Sequence, residues 1–192
     1  MTETTTPKPL RADARRNREA LICAATRTFA EQGVDGSLEE VARRAGVGVG
    51  TLYRHFPTRD ALLTELLSAS FDRLRELSRE GLEADDPAQA LAEYLRQMAF
   101  HSRTFRGVPS SVKLALAESD NPLAASCTAT HAGWAELLER AQDAGVVRRD
   151  AEPGDVLRLV YGIAWATDNA GDDTALVDRM LGLVLDGLRP AG

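Results

Sequence analysis

The sequence predicts an all-α protein of about nine helices, and three observations carry that expectation. Apolar residues recur at spacings of three and four. Capping residues and prolines break the chain at helix-length intervals, and no segment alternates with period two for long enough to make a strand. At 192 residues the chain is long enough for one small and one larger helical domain.

The first residues, rich in threonine with Pro7 and Pro9, read as a disordered arm over 1–12. A first helix is expected from near Asp13 to Gln32, burying Leu21, Ile22, Ala25 and Phe29 and closed by Gly33. The densest information follows at Ser37 to Leu63. Ser37 and Glu40 have the spacing of a capping box, in which the serine caps Glu40 and the glutamate reaches back. Leu38, Val41, Ala42 and Ala45 then share a face, and Gly46 supplies the backbone freedom that ends a helix. Val49 to His55 form a short helix that is mostly not apolar, with Leu52 turned inward, and Phe56-Pro57 stops it. Thr58 caps the next helix, which runs to about Glu80 with Leu63, Leu67, Phe71, Leu74 and Leu77 as its apolar stripe. That helix spans roughly 33 Å, enough to leave one domain and enter another.

Two short helices, a glycine-containing turn and a polar second helix make a DNA-reading helix-turn-helix. The run Gly46-Val47, Gly50-Thr51-Leu52-Tyr53, His55-Phe56 and Leu62-Leu63 resembles the DNA-binding domain of the TetR (tetracycline-repressor) family, over roughly Arg16 to Leu67. Gly48 departs from the family pattern, which has a serine or threonine there; glycine is a tolerated N-cap but offers phosphate no side chain. The resemblance implies a helix-turn-helix domain over 13–60 and a ligand-sensing, dimerising domain over 61–192. It also implies a homodimer on double-stranded DNA at a palindromic operator, with a small-molecule effector. The DNA-facing set is then Ser37, Gly48, Val49, Gly50, Thr51, Tyr53, Arg54, His55, Thr58 and Arg59. Thr51 and Arg54 are candidates for base contact, and Val49 for a thymine methyl. The resemblance assigns Tyr53 and His55 to phosphate and makes Thr58 and Arg59 phosphate clamps at a helix N-terminus. Half-sites are expected one turn apart or a multiple of it, ~34–36 Å centre to centre.

A net charge of −6 is compatible with DNA binding because the charge is unevenly placed. Residues 1–59 carry ten Lys/Arg against seven Asp/Glu, and the remainder thirteen against twenty-two. Lys8, Arg11, Arg15, Arg16 and Arg18 could form a basic arm on DNA, or simply a solvated terminus. The acidic remainder argues against an architectural DNA protein. Cys23 and Cys127 lie far apart without ligand-spaced partners, so neither a disulfide framework nor a metal site is expected, and a reducing cytoplasm is the default. No apolar run approaches a membrane span and no signal-peptide pattern opens the chain.

Beyond the long helix, Asp86-Pro87 and Asn121-Pro122 are cap-plus-N1 pairs, Pro109 and Pro153 open two more helices, and Gly145 ends one. The last two helices are expected to reach about Asn169 and to run from Asp172 or Asp173 to Leu188. Both are apolar on more than one face, which demands cover. Val160, Ile163, Val177, Leu181 and Val184 are the expected dimer seam, with Gly162 and Gly182 permitting close backbone approach. Tyr94, Met98, His101, Phe105, His131, Trp134, Tyr161, Trp165 and Asn169 interrupt the other apolar faces and are candidates to line an effector pocket. The plainer alternative for each is packing or solvent.

No glycine-rich phosphate loop, nucleophile motif or histidine pair at metal spacing is present, so neither catalysis nor a cofactor is expected. A ligand-released repressor is the leading expectation. An activator, or a regulator without a small-molecule effector, is the alternative.

Overall fold

In a computed structural model the described residues are 8–118, 120–167 and 174–190, with side chains from residue 12 onward. They form nine helices and no strand: α1 (Lys8–Gln32), α2 (Leu38–Arg44), α3 (Val49–His55), α4 (Arg59–Glu83), α5 (Pro87–Thr104), α6 (Ser110–Ala117), α7 (Pro122–Asp143), α8 (Pro153–Ala166) and α9 (Thr174–Gly187).

Local chemistry explains most boundaries. Asp86 accepts from the Ala88 and Gln89 amides with Pro87 at the first helical position, and Asn121 accepts from Leu123 ahead of Pro122. Gly46 and Gly145 end α2 and α7 at φ of +69° and +70°, a region costly for a side chain. Three boundaries differ from expectation, one of them the end of α8, which stops at Ala166 and not near Asn169. α1 begins at Lys8, so residues 8–12 of the expected arm are helical, while residues 1–7 lie outside the described residues. α4 runs on to Glu83, and its terminal turn is fastened from outside by Arg140, which donates to the carbonyls of Gly81 and Ala84.

Three apolar clusters hold the chain together. The first is the reading bundle, with Leu21, Phe29, Val41 and Leu52 among its fully buried members, and it extends through Leu62, Leu63 and Leu66 of α4. A small second cluster joins Leu67 and Phe71 of α4 to Val112 of α6 and Leu123 of α7. The largest gathers Leu74 and Leu77 with α5, α7, α8 and α9. α4 thus contributes to all three, and a domain boundary placed at 60/61 falls within a shared helix. α4 lies most extensively against α7, where Gly133 permits the contact: a Cβ there would stand 2.6 Å from Ser78 Oγ.

The loop after α5 ties the two ends of the molecule. Phe105 and Val108 pack against both the reading bundle and the small cluster. Ser111, in the first turn of α6, donates to the Asp60 carboxylate at 2.5 Å, and Arg18 of α1 pairs with Glu65 of α4 at 2.7 Å. No described helix is long and apolar enough to cross a membrane.

Candidate nucleic-acid interface

α3 divides cleanly into two sides. Leu52 is fully buried, and Val49 packs against the reading-bundle core. Gly50, Tyr53 and Arg54 face solvent, Tyr53 being 45% exposed, and Thr51 and His55 lie at the margin. Leaving a tyrosine this open on a helix seated by only two apolar side chains makes sense for a surface that meets a partner. Arg54 lies back along its own helix, its Nε 3.2 Å from the Gly50 carbonyl, so it must uncoil to reach a base. Gly48 caps α3 with no side-chain bond, and a Cβ on Gly48 or Gly50 would meet nothing within 4 Å. The N-terminus of α3 is therefore bare backbone, open to an approaching phosphate.

The capping box of α2 forms only by half. Ser37 Oγ accepts from the Glu40 amide at 3.2 Å, but Glu40 does not reach back. Its carboxylate instead takes Arg43 at 2.6 and 2.7 Å and Arg44 at 2.7 Å, and Arg44 also holds Glu31 of α1 in a bidentate pair at 2.7 and 2.8 Å. Two arginines outcompete one amide because charged partners make the stronger bonds. The Arg43 and Arg44 hydrogen bonds hold the Glu40 carboxyl down at about 2. Ser37 turns its own hydroxyl to Glu39 at 2.8 Å, so in this arrangement it is occupied rather than offered to DNA.

Thr58 caps α4 as expected, accepting from the Ala61 amide at 3.1 Å. Arg59 behaves differently from a free phosphate clamp. Its Nη1 donates to the carbonyls of Val34 and Gly36, each at 2.7 Å, and its guanidinium lies 5.8 Å from the centre of the Phe29 ring. The residue pins the loop between α1 and α2, whose carbonyls have no helix to satisfy them. Arg59→Ala is therefore expected to destabilise the reading bundle by about 1.5–3 kcal/mol, the range for hydrogen bonds to a charged group. Thermal unfolding of the isolated protein, without DNA, measures it.

Of the basic arm, Arg18 is engaged by Glu65 and lies 5.4 Å from the centre of the Phe56 ring. Arg15 pairs with Glu19 and Arg16 with Asp13. These exposed pairs are weak and can open toward phosphate.

In the larger domain the candidate pocket residues do not converge. Tyr94 and Trp134 are buried and stacked with ring centres 5.3 Å apart. Tyr94 donates to the Thr130 carbonyl at 3.4 Å, and Trp134 Nε1 donates to the Pro153 carbonyl at 3.0 Å. Burial pushes the Tyr94 phenol well above its usual range. Together with Met98, 2% exposed, these two rings are core, each polar tip satisfied by backbone. Trp165 is the opposite case: at 80% exposed it lies on the outer side of α8, and Tyr161 at 40% and His131 are also exposed. Asn169 lies outside the described residues. Apart from that core stack, His101 and Phe105 meet with ring centres 4.9 Å apart, and Phe71 lies 5.2 Å from His101.

His101 Nδ1 is 2.7 Å from Ser70 Oγ. Burial, and then the neighbouring His131, lower its pKa from 6.5 to about 4. The unfolded chain thus takes up this proton more readily than the folded one, so the contribution is complete above about pH 6.5 and is lost as pH falls through about 4. Denaturant unfolding across that window should show a steeper acid loss for wild type than for His101→Phe.

The dimer residues also need correction. Val160, Ile163, Val177 and Leu181 are between 0% and 6% exposed and belong to the chain's own core, and Val184 packs against that core. The apolar groups left outside on α8 and α9 are Leu159 (54%), Trp165 and Leu183 (74%). A Cβ on Gly162 or Gly182 would meet nothing within 4 Å, so both backbones stand open beside them.

A polar, outward recognition helix on a three-helix bundle, joined to a larger helical domain, defines a helix-turn-helix transcription regulator. Residues 21–66 match the family model for bacterial regulatory proteins of the tetR family, and residues 86–190 match that for the C-terminal domain of SbtR-like transcriptional regulators. The chain belongs to the TetR family. It is similar to the TetR regulator SCO0520 of Streptomyces coelicolor, with 35% identity and a TM-score of 0.71 over 91% of this chain and 99% of that one. A TetR regulator of Mycobacterium vanbaalenii is 33% identical, with a TM-score of 0.62 over 95% of this chain and all of the other. The transcriptional repressor KstR2 of Rhodococcus jostii is 28% identical over 186 residues, 90% of this chain and 91% of the relative.

Proposed function

We propose that this regulator is a repressor that binds a palindromic operator as a homodimer and leaves it on taking up a small molecule. The observation that carries the reading is the outer side of α8 and α9, where Trp165, Leu183 and Leu159 stand exposed next to two open glycine backbones. An apolar patch of this kind on a helix pair needs cover. A second copy related by a two-fold axis supplies it and sets two α3 helices in the symmetry of a palindrome. The naming of a relative with near full-length overlap as a repressor supports the direction of control. On DNA, Thr51 and Arg54 face the groove, Tyr53, His55 and the open start of α3 face phosphate, and Thr58 keeps the start of α4 in place.

Selection from sheared genomic DNA should enrich a palindrome, and affinity for it should fall steeply with salt as phosphate contacts release counterions. Tyr53→Phe should weaken that complex by roughly three- to ten-fold, the worth of one hydroxyl contact, without changing its stoichiometry. Failure to enrich any site, or enrichment of an asymmetric one, would overturn the reading.

A further inference from the structure

We propose that the crevice where α1, α4 and α5 meet binds a small hydroxylated ring, a phenol or compact alcohol, at a site separate from the interior of the C-terminal helices. Leu66, Ala69 and Leu74 of α4 and Phe100 and Phe105 at the end of α5 form its apolar walls, and Thr26 of α1 closes it from the reading bundle. The space is about 200 Å³. A dry apolar cavity of about 150 Å³ holds benzene, so this crevice suits one substituted ring and is too small for a drug-sized molecule.

Its polar lining fixes the chemistry. Thr26 donates its hydroxyl proton to the Ile22 carbonyl at 2.9 Å, and Thr104 donates to the Phe100 carbonyl at 2.8 Å. Each oxygen keeps lone pairs but has no proton to give. The Gln97 side-chain nitrogen donates to Glu93 at 3.1 Å, which leaves its carbonyl oxygen to accept. Ser70 is engaged with His101. Arg73, the cation of the lining, is paired with Glu80 at 3.6 Å. An occupant therefore meets acceptors at Thr26, Thr104 and Gln97, and donors at the second Gln97 N–H and at Arg73. A hydroxyl both donates and accepts and so answers both sets, whereas a carboxylate only accepts and would face the three acceptor oxygens unpaired. Phe100, 46% exposed on α5 and left without a role by the fold, gains cover when the crevice fills.

The position gives an occupant a direct hold on both halves of the molecule, because α1 belongs to the reading bundle and α5 to the larger domain. The consequence for DNA rests on the repressor reading above, whereas binding itself does not. Calorimetry and amide chemical-shift mapping on the full-length protein, with p-cresol, toluene and benzoate as probes, separate the two. p-Cresol should bind about five-fold or more tighter than toluene, the worth of one hydrogen bond, and tighter than benzoate. Shifts should centre on Thr26, Ala69 and Phe100. Thr26→Val should remove about five-fold of p-cresol affinity, and Ala69→Phe, which fills the space from an exposed position on α4, should abolish binding with helix content retained. Absence of p-cresol binding, preference for benzoate, or shifts centred on Tyr94 and Trp134 would each overturn the proposal. Binding as expected without any change in operator affinity would instead count against the ligand-released repressor.

Discussion

Leu183→Arg is expected to yield folded monomers that have lost operator affinity by about 10²–10⁴-fold, the gain that linking two half-site contacts confers. Leu183 is 74% exposed on α9, so the isolated chain carries an arginine there without strain. In a two-fold interface the same position recurs on both subunits, and each substitution sets a charge against apolar surface and its own symmetry mate. Light scattering gives the mass, and a gel-shift series on the selected operator gives the affinity. The contrasting variant is Leu181→Arg, two residues away. Leu181 is 3% exposed in the chain's own core, so this change should prevent folding rather than dissociate a dimer. A dimeric Leu183→Arg with wild-type affinity would show that the seam lies elsewhere.

Trp134→Ala should cost about 3–5 kcal/mol of stability, a large part of the roughly 5–15 kcal/mol that keeps a domain folded. The indole fills the middle of the larger core, stacks on Tyr94 and occupies the Pro153 carbonyl that opens α8. Removing it leaves a cavity, a loosened ring and an unsatisfied acceptor together. Trp134→Phe keeps most of the volume and the stack, and should lose only a fraction of that. Denaturant midpoints for the two variants distinguish packing from effector contact: a pocket residue would alter ligand response with little change in midpoint.

Helix positions were legible because they are written in local chemistry. Asp86-Pro87, Asn121-Pro122, Gly46 and Gly145 each act within a few residues, and the backbone obeys them. The reading helix was legible for a related reason, since Leu52 is the one strongly apolar residue among polar ones and fixes which side faces in. Sidedness was not legible in α8 and α9. A helix apolar all round offers no contrast between its faces, so Leu181 and Leu183 look alike until a neighbour buries one of them. The same holds for Trp134 and Trp165: Tyr94 of α5 and the Pro153 carbonyl of α8 cover the first, while the second stays 80% exposed, and neither outcome is written in the local sequence. The bonds of Arg59 and Glu40 were not legible because their partners, the Val34 and Gly36 carbonyls and the side chains of Arg43 and Arg44, compete on distance and charge that spacing rules ignore.

The passage of α4 through three successive cores sets a rule for exchanging reading heads between such regulators. Leu66, Leu67, Phe71, Leu74 and Leu77 address different clusters from one rigid rod, so each is committed to an angle as well as to a height. Adding one residue between Leu67 and Leu74 would turn everything beyond it by about 100° and shift it by about 1.5 Å. Chimeras joined inside this helix should therefore work only when the splice preserves its phase, and length variation among natural regulators of this build should fall in the loops on either side of the rod instead.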